Sequence, residues 1–292
     1  MEYVIHLSIV SGIVAILGMS LNLIVGYTGL LSVAHAAFYG IGAYVTAILL
    51  AGFGVNFFLA LLLGMALAAA VALLIGLVLS RFDDDYYVLA SLGLNIIIYS
   101  VFLNWNTLTR GPLGIPGISR PELGIGGYRF GLTSNFSFLV LTLLCAVLVY
   151  LAARFITRSS FGRVLMAIRE DEQALQVFGY RTVYYKLAIF VIGAVMAAVA
   201  GALFASYITF IDPTSFMLRE SIFMLSVIIL GGLANTNGAV AGAVILVVLP
   251  ELLRFVGLPS NIAAQMRLLL YGLALVLLMI YRPQGLFGKY RL

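Results

Sequence analysis

Between Tyr3 and Ser80 the chain contains no Asp, Glu, Lys or Arg, whereas residues 154–186 carry nine charges in one burst. In soluble domains about a quarter of all residues are charged, so an uncharged stretch of this length belongs in a bilayer. The whole chain is 63% hydrophobic and 9% charged. Only helices and closed barrels satisfy their backbone polar groups in lipid. The apolar runs here are long and do not alternate, so helices are expected. The burst sets Arg154, Arg158, Arg163, Arg169, Arg181 and Lys186 against Glu170, Asp171 and Glu172. One loop among oily segments is thus built to meet something in water.

A spanning helix needs roughly 20 mostly apolar residues. Segments of that kind lie at about 3–25, 36–52, 56–79, 86–103, 136–155, 186–208, 218–233, 239–256 and 266–281. The expected fold is an all-α polytopic membrane protein of about nine transmembrane helices, with residues 1–292 forming a single transmembrane domain. Placing Arg81, the charged burst and the tail (Arg282, Lys289, Arg291) inside puts ten basic residues in the cytoplasm and leaves Arg110, Arg120, Arg129, Arg219, Arg254 and Arg267 outside. That bias follows the positive-inside rule and accounts for the net charge of +5 without a nucleic-acid partner. An even number of segments separates the two inside regions, so the N-terminus is expected outside and the C-terminus in the cytoplasm. With Glu2 and no basic leader, the first segment reads as a retained span. The lone Cys145, in an apolar run, reads as a packing residue.

Two longer intervals separate the spans. The external loop 104–135 contains TRGPLGIPGISRPELGIGG, with turn residues in fixed positions. The internal segment 158–185 is helical in character: Leu165, Ile168, Leu175 and Phe178 fall near one face, Arg163, Arg169, Glu170 and Gln173 mostly elsewhere, and Gly179 stands at a C-cap position. Such a helix lies on the lipid surface or docks in a partner's groove. Its mixed charges favour a protein partner.

No phosphate-binding glycine loop, nucleophile–base pair or metal-ligand cluster occurs, so the chain reads as a non-enzyme that binds no cofactor of its own. The spans carry small and polar stripes instead: Ser8, Ser11, Ala15, Gly18 and Asn22 on the first, Ser91, Asn95 and Tyr99 on the fourth. Small residues allow close helix packing, and buried amides such as Asn22 and Asn95 either pack or line a pathway. Gly193, Ala197 and Gly201, with Gly238 and Gly242, read as packing alone. From Gly26 to His35, glycines, hydroxyls and a histidine interrupt the helix. This stretch is either a plain turn or a broken helix at a cavity, where freed N–H groups receive an anionic group. The expected pathway set is Asn22, Tyr27, Thr28, Ser32, His35, Ser91, Asn95 and Tyr99.

Four blocks, GYTGLLSVAHAAFYGIGAY, TRGPLGIPGI, FGRVLMAIREDEQALQVFGYRTVYYKL and VIILGGLANTNGAVAGA, occur in the order found in LivM-type permeases, which the chain resembles over essentially its whole length. Those are membrane subunits of bacterial ABC importers for branched-chain amino acids. The resemblance implies an importer-permease fold in the inner membrane, a LivH-type partner permease, two cytoplasmic ATPases carrying ATP and Mg, and a periplasmic binding protein. It also implies that 163–179 is the coupling element, with Arg163, Leu165, Ile168, Arg169, Glu170, Gln173, Ala174, Leu175 and Gly179 meeting an ATPase. The importer motif Glu-Ala-Ala, three residues, Gly reads here Gln173, Ala174, Leu175 and Gly179. Permeases for urea or short-chain amides share this architecture and remain an alternative. A stand-alone secondary transporter is disfavoured because no acidic residue is expected deep in a span.

Overall fold

The computed structural model describes residues 1–82, 84–125, 128–131 and 134–254, with scattered positions from 266 to 282 and residues 284–288. Ten helices appear among these: α1 (Glu2–Leu21), α2 (His35–Phe53), α3 (Phe57–Leu79), α4 (Asp84–Asn104), α5 (Asn135–Arg158), α6 (Ser160–Glu170), α7 (Glu172–Val177), α8 (Thr182–Ile208), α9 (Leu218–Gly231) and α10 (Thr236–Arg254). Six are long and apolar enough to cross a membrane: α1 with the turn that follows it, α2, α3, α4, α5 and α8. The segments expected as the seventh and eighth spans are α9 and α10, two limbs bent 118° on each other at a short break. Among the described residues these six long helices and this bent pair stand where eight straight spans were expected. The expected ninth, 266–281, falls largely outside the described residues.

Three side-chain contacts mark one face of the bundle. Asn135 donates to Glu2 at 2.7 Å, His6 Nδ1 lies 2.6 Å from the Tyr207 hydroxyl, and Tyr3 donates to Glu251. At the opposite face Arg169 meets the Gly26 carbonyl, and the Leu286 N–H donates to Leu230 at 3.0 Å. The chain reaches α9 from the first face, turns at 232–235 near the opposite one, and returns along α10 to Glu251. A bent pair of this kind brings the chain back to the face it left, as two full spans would.

The connection 104–135, expected outside, is less irregular than its composition suggests. Short strands β1 (Ile115–Pro116), β2 (Glu122–Ile125), β3 (Tyr128–Gly131) and β4 (Phe210–Ile211) form two antiparallel ladders, β1 with β4 and β2 with β3. The β1–β4 pairing ties this loop to the end of α8. Asp212 follows β4. Burial pushes its carboxyl up, but the Ser215 and Thr214 hydroxyls and backbone N–H groups outweigh that and hold it below the usual aspartate range.

The core follows from where small residues fall. The most apolar window of α1 is 89% buried against 22% for α3, so α1 is central and α3 peripheral. On α3 the buried positions Phe57, Ala60, Gly64, Ala68, Ala72 and Gly76 form one stripe at spacings of three and four, while Leu62, Leu67 and Leu74 point outward. Between α2 and α8 backbone meets backbone: a Cβ on Gly42 would overlap the Ala198 carbonyl, and one on Gly201 the Tyr39 carbonyl. Gly193 likewise abuts Ile24, and Gly238 and Gly242 abut Gly231, so Gly193, Gly201, Gly238 and Gly242 serve packing as expected. Gly42→Leu is therefore expected to cost at least about 1–3 kcal/mol, the usual penalty of overpacking. Gly52, which has nothing within 4 Å, should accept Ala without effect. Thermal unfolding in detergent compares the two, and equal melting temperatures would refute the close crossing.

Candidate functional site

The interruption between α1 and α2 is a structured break. Residues Asn22–Gly26 form one π-helical turn, a geometry that frees backbone groups inside a helix. The Thr28 hydroxyl donates back to the Ile24 carbonyl at 2.6 Å, and Gly29 takes φ +80°, which glycine adopts without strain. The freed groups find partners from other helices. The Val33 N–H donates to Ser91 Oγ on α4 at 3.0 Å, and the Ala36 N–H, in the first turn of α2, donates to Ser221 Oγ on α9 at 3.0 Å. Asn22 joins this break to the one between α9 and α10: it accepts from the Ala234 N–H at 3.1 Å and donates to the Asn235 carbonyl at 3.0 Å. Asn235 in turn caps α10, accepting from the Asn237 N–H at 3.0 Å.

The polar groups here are buried. Asn22, Ser32, His35 and Asn95 are each 1% exposed, and Tyr27, Thr28 and Ser91 are also buried. Several make no hydrogen bond among the described residues: His35 Nδ1 and both ends of the Asn95 amide, while the Ser32 hydroxyl lies beside Tyr87 without a well-formed bond. The orphan on His35 follows from proton counting. Ser20 donates its only proton to the Leu17 carbonyl at 2.8 Å, so at 2.7 Å from His35 it accepts from Nε2–H, which leaves Nδ1 a bare acceptor in the neutral ring. Buried unpaired polar groups are costly and mark places where water or a ligand completes the bonding. Tyr99, two helical turns beyond Ser91 on α4 and half-buried, stands apart from the break. Ser20, Ser221 and Asn235 were not singled out in the sequence: Ser20 lies off the small-residue stripe of the first span, Ser221 follows the charged pair Arg219-Glu220, and Asn235 opens the short polar run Asn235-Thr236-Asn237.

The charged segment is two helices, where one over 163–179 was expected. α6 ends at Glu170, and Asp171 turns extended and caps α7 by accepting from the Ala174 N–H at 2.9 Å. Gly179, at φ +85°, ends α7, with the Tyr180 N–H bonded to the Leu175 carbonyl at 3.1 Å, as its C-cap position implied. The segment is pinned to α8 by a 2.6 Å ion pair between Glu172 and Lys186, the lysine being 5% exposed. Leu165 and Ile168 are buried in the chain's own core, so this part of the expected docking face is covered from within. Arg163, Glu170, Gln173 and Gly179 are exposed, and Ala174 and Leu175 are half-buried. The open apolar surface is instead Val177 and Phe178, 87% and 79% exposed. Arg169 turns inward: its guanidinium donates to the Gly26 carbonyl, and its stem rests on Gly29. The charged segment and the break are thus in direct contact.

Residues 3–279 match the family model described as branched-chain amino acid transport system / permease component. The chain is 35% identical over 291 residues to the high-affinity branched-chain amino acid transport system permease protein LivM of Salmonella typhimurium, covering 93% of this chain and 67% of that protein, and equally to LivM of Escherichia coli K12. It is 28% identical over 294 residues to the LivH permease protein of Salmonella typhimurium, covering 94% of this chain and 91% of that one. No solved structure matches. Through the full-length family match and the identity to LivM, the chain belongs to the family of branched-chain amino acid transport permease components.

Proposed function

We propose that the chain is the permease subunit of an ATP-driven importer of branched-chain amino acids in the bacterial inner membrane, with its N-terminus outside and its C-terminus in the cytoplasm. It pairs with a LivH-type permease, receives substrate from a periplasmic binding protein, and is driven by two cytoplasmic ATPases that hold ATP and Mg. The observation that carries this reading is the contact of Arg169 with Gly26 and Gly29, because it joins a water-facing charged segment to a buried, incompletely bonded polar break. A displacement of α6 and α7 by an ATPase reaches the break through that side chain, without substrate touching the segment. In this reading Asn22, Tyr27, Thr28, Ser32, His35, Ser91 and Asn95 shape the inner part of the pathway. Asn22 does so by holding the two breaks together, since both ends of its amide are committed to backbone.

Reconstitution tests the assignment. The assembled complex in proteoliposomes, with binding protein outside and ATP within, should accumulate labelled leucine and be inhibited by isoleucine and valine. Uptake of urea in place of leucine would support the amide-permease alternative, and leucine uptake without ATP would overturn the importer reading. In a Cys145→Ala background, Glu122→Cys should be labelled from outside and Glu170→Cys only from inside. Reversed labelling inverts the orientation.

A further inference from the structure

A cavity of about 240 Å³ opens near His6 and Tyr207 and follows α1 inward to Leu17. That is eleven residues along the helix, roughly 16 Å, or about half the hydrocarbon thickness of a bilayer. Its walls are largely apolar, formed by Val10, Val14, Leu17, Phe204, Phe223 and Met224. Glu220, Tyr39, His6, Tyr207 and Glu251 also line it. His6 pairs with Tyr207, and Glu251 accepts from Tyr3. Glu220 was read from the sequence as the outer end of a span, but it lines this cavity together with Leu17 and Tyr39, so an acidic residue does lie at depth.

A glutamate in the first turn of a helix is favoured by the helix dipole, and that alone makes no site. The surroundings add the rest. Among the described residues the Glu220 carboxylate accepts no hydrogen bond, and its neighbouring cation, Arg219, is exposed. Tyr39 is 4% exposed, lines the same cavity, and its hydroxyl makes no hydrogen bond among the described residues. A carboxylate and a phenol facing apolar walls are both under-bonded, and the group that would complete them is a compact cation with several N–H donors. The walls accept an alkyl group attached to it. Tyr39 is one helical turn from His35, and Glu220 is next to Ser221, whose hydroxyl receives the Ala36 N–H. The inner end of the cavity therefore abuts the first turn of α2 and the polar break.

We propose that Glu220, assisted by the Tyr39 hydroxyl, receives the ammonium group of an aliphatic amino acid that has entered this cavity from the outer face. The proposal rests on the importer reading and adds to it a recognition site distinct from the break. The assembled transporter in lipid nanodiscs can be tested by ligand-observed NMR with isopentylamine, leucine and 4-methylpentanoate. The amine and leucine should bind and the acid should not. Glu220→Gln should weaken the amine by roughly 10-fold or more, the loss expected for a hydrogen bond to a charged group. Glu220→Asp should retain part of the binding. Unchanged amine binding in Glu220→Gln, equal binding of the acid by the native complex, or displacement of the amine by sodium at equal concentration each overturns the site. Leucine uptake by the native complex is scored separately: failure of uptake with amine binding intact sinks the importer reading and leaves the site standing.

Discussion

Phe178→Asp is expected to release the ATPase subunits from the purified complex while the chain still inserts in the membrane. Phe178 is 79% exposed and stands with Val177 at the end of α7, while the other large apolar groups of α6 and α7 are turned inward or half-buried. An exposed aromatic on a rigid, capped and ion-paired support is the type of residue that anchors a helix in a partner's groove. Replacing an anchoring aromatic costs about 2–4 kcal/mol, which is roughly 30- to 1,000-fold in affinity. Copurification from solubilised membranes, with leucine uptake as a second readout, measures the effect. Normal assembly and normal uptake would show that Phe178 dips into the lipid surface and that the partner engages elsewhere. Because Phe178 lies outside every span, loss of membrane insertion is not expected.

The second large effect is expected at Asn22. Asn22→Leu keeps a similar volume but strips partners from the Ala234 N–H and the Asn235 carbonyl, one of them deeply buried. Leaving a buried polar group unsatisfied costs about 1–3 kcal/mol, so the two together destabilise the chain by roughly 2–5 kcal/mol. A leucine there also crowds Gly26, against which the Asn22 amide is packed. The complex should melt several degrees lower and lose uptake. Asn22→Ser retains a hydroxyl, although a shorter one, and should fall between the two. A leucine variant that melts like the native complex and transports normally would show that the two breaks are held together by other contacts.

How far a single sequence carried the reading depends on whether the signal was local. The bilayer class, the six long spans and the helical nature of 158–185 were legible because uncharged runs and 3.6-residue spacing are properties of neighbouring residues. Gly179 was legible for the same reason, since a helix end that needs positive φ shows itself as a glycine. Gly193 and Gly201 on α8 were legible as packing residues, but their partners were not: Gly201 meets Tyr39 across more than 150 residues. The break at Asp171 was hidden because an acidic residue in an acidic run carries no mark that its side chain caps the following helix.

Only the tertiary structure decided which polar groups are spent and which are open. Asn22 and Asn95 are equivalent in the sequence, two amides in apolar helices. In the fold, Asn22 has both ends bound to a second broken helix, and Asn95 has neither end bound among the described residues. The apolar face of α6 gave the same lesson, since amphipathic spacing shows that a face will be covered but not whether the chain itself or a partner covers it. Arg169 belonged to a loop built for water, and the fold turned it inward onto Gly26. Glu220 was one residue at a span boundary until Tyr39, from a helix far away in sequence, was placed in the same cavity. The sequence determined the solvent, the spans and the family, because hydropathy and local motifs are written residue by residue. The pairing of buried hydrogen-bonding groups across distant helices was fixed only when close packing brought those helices together.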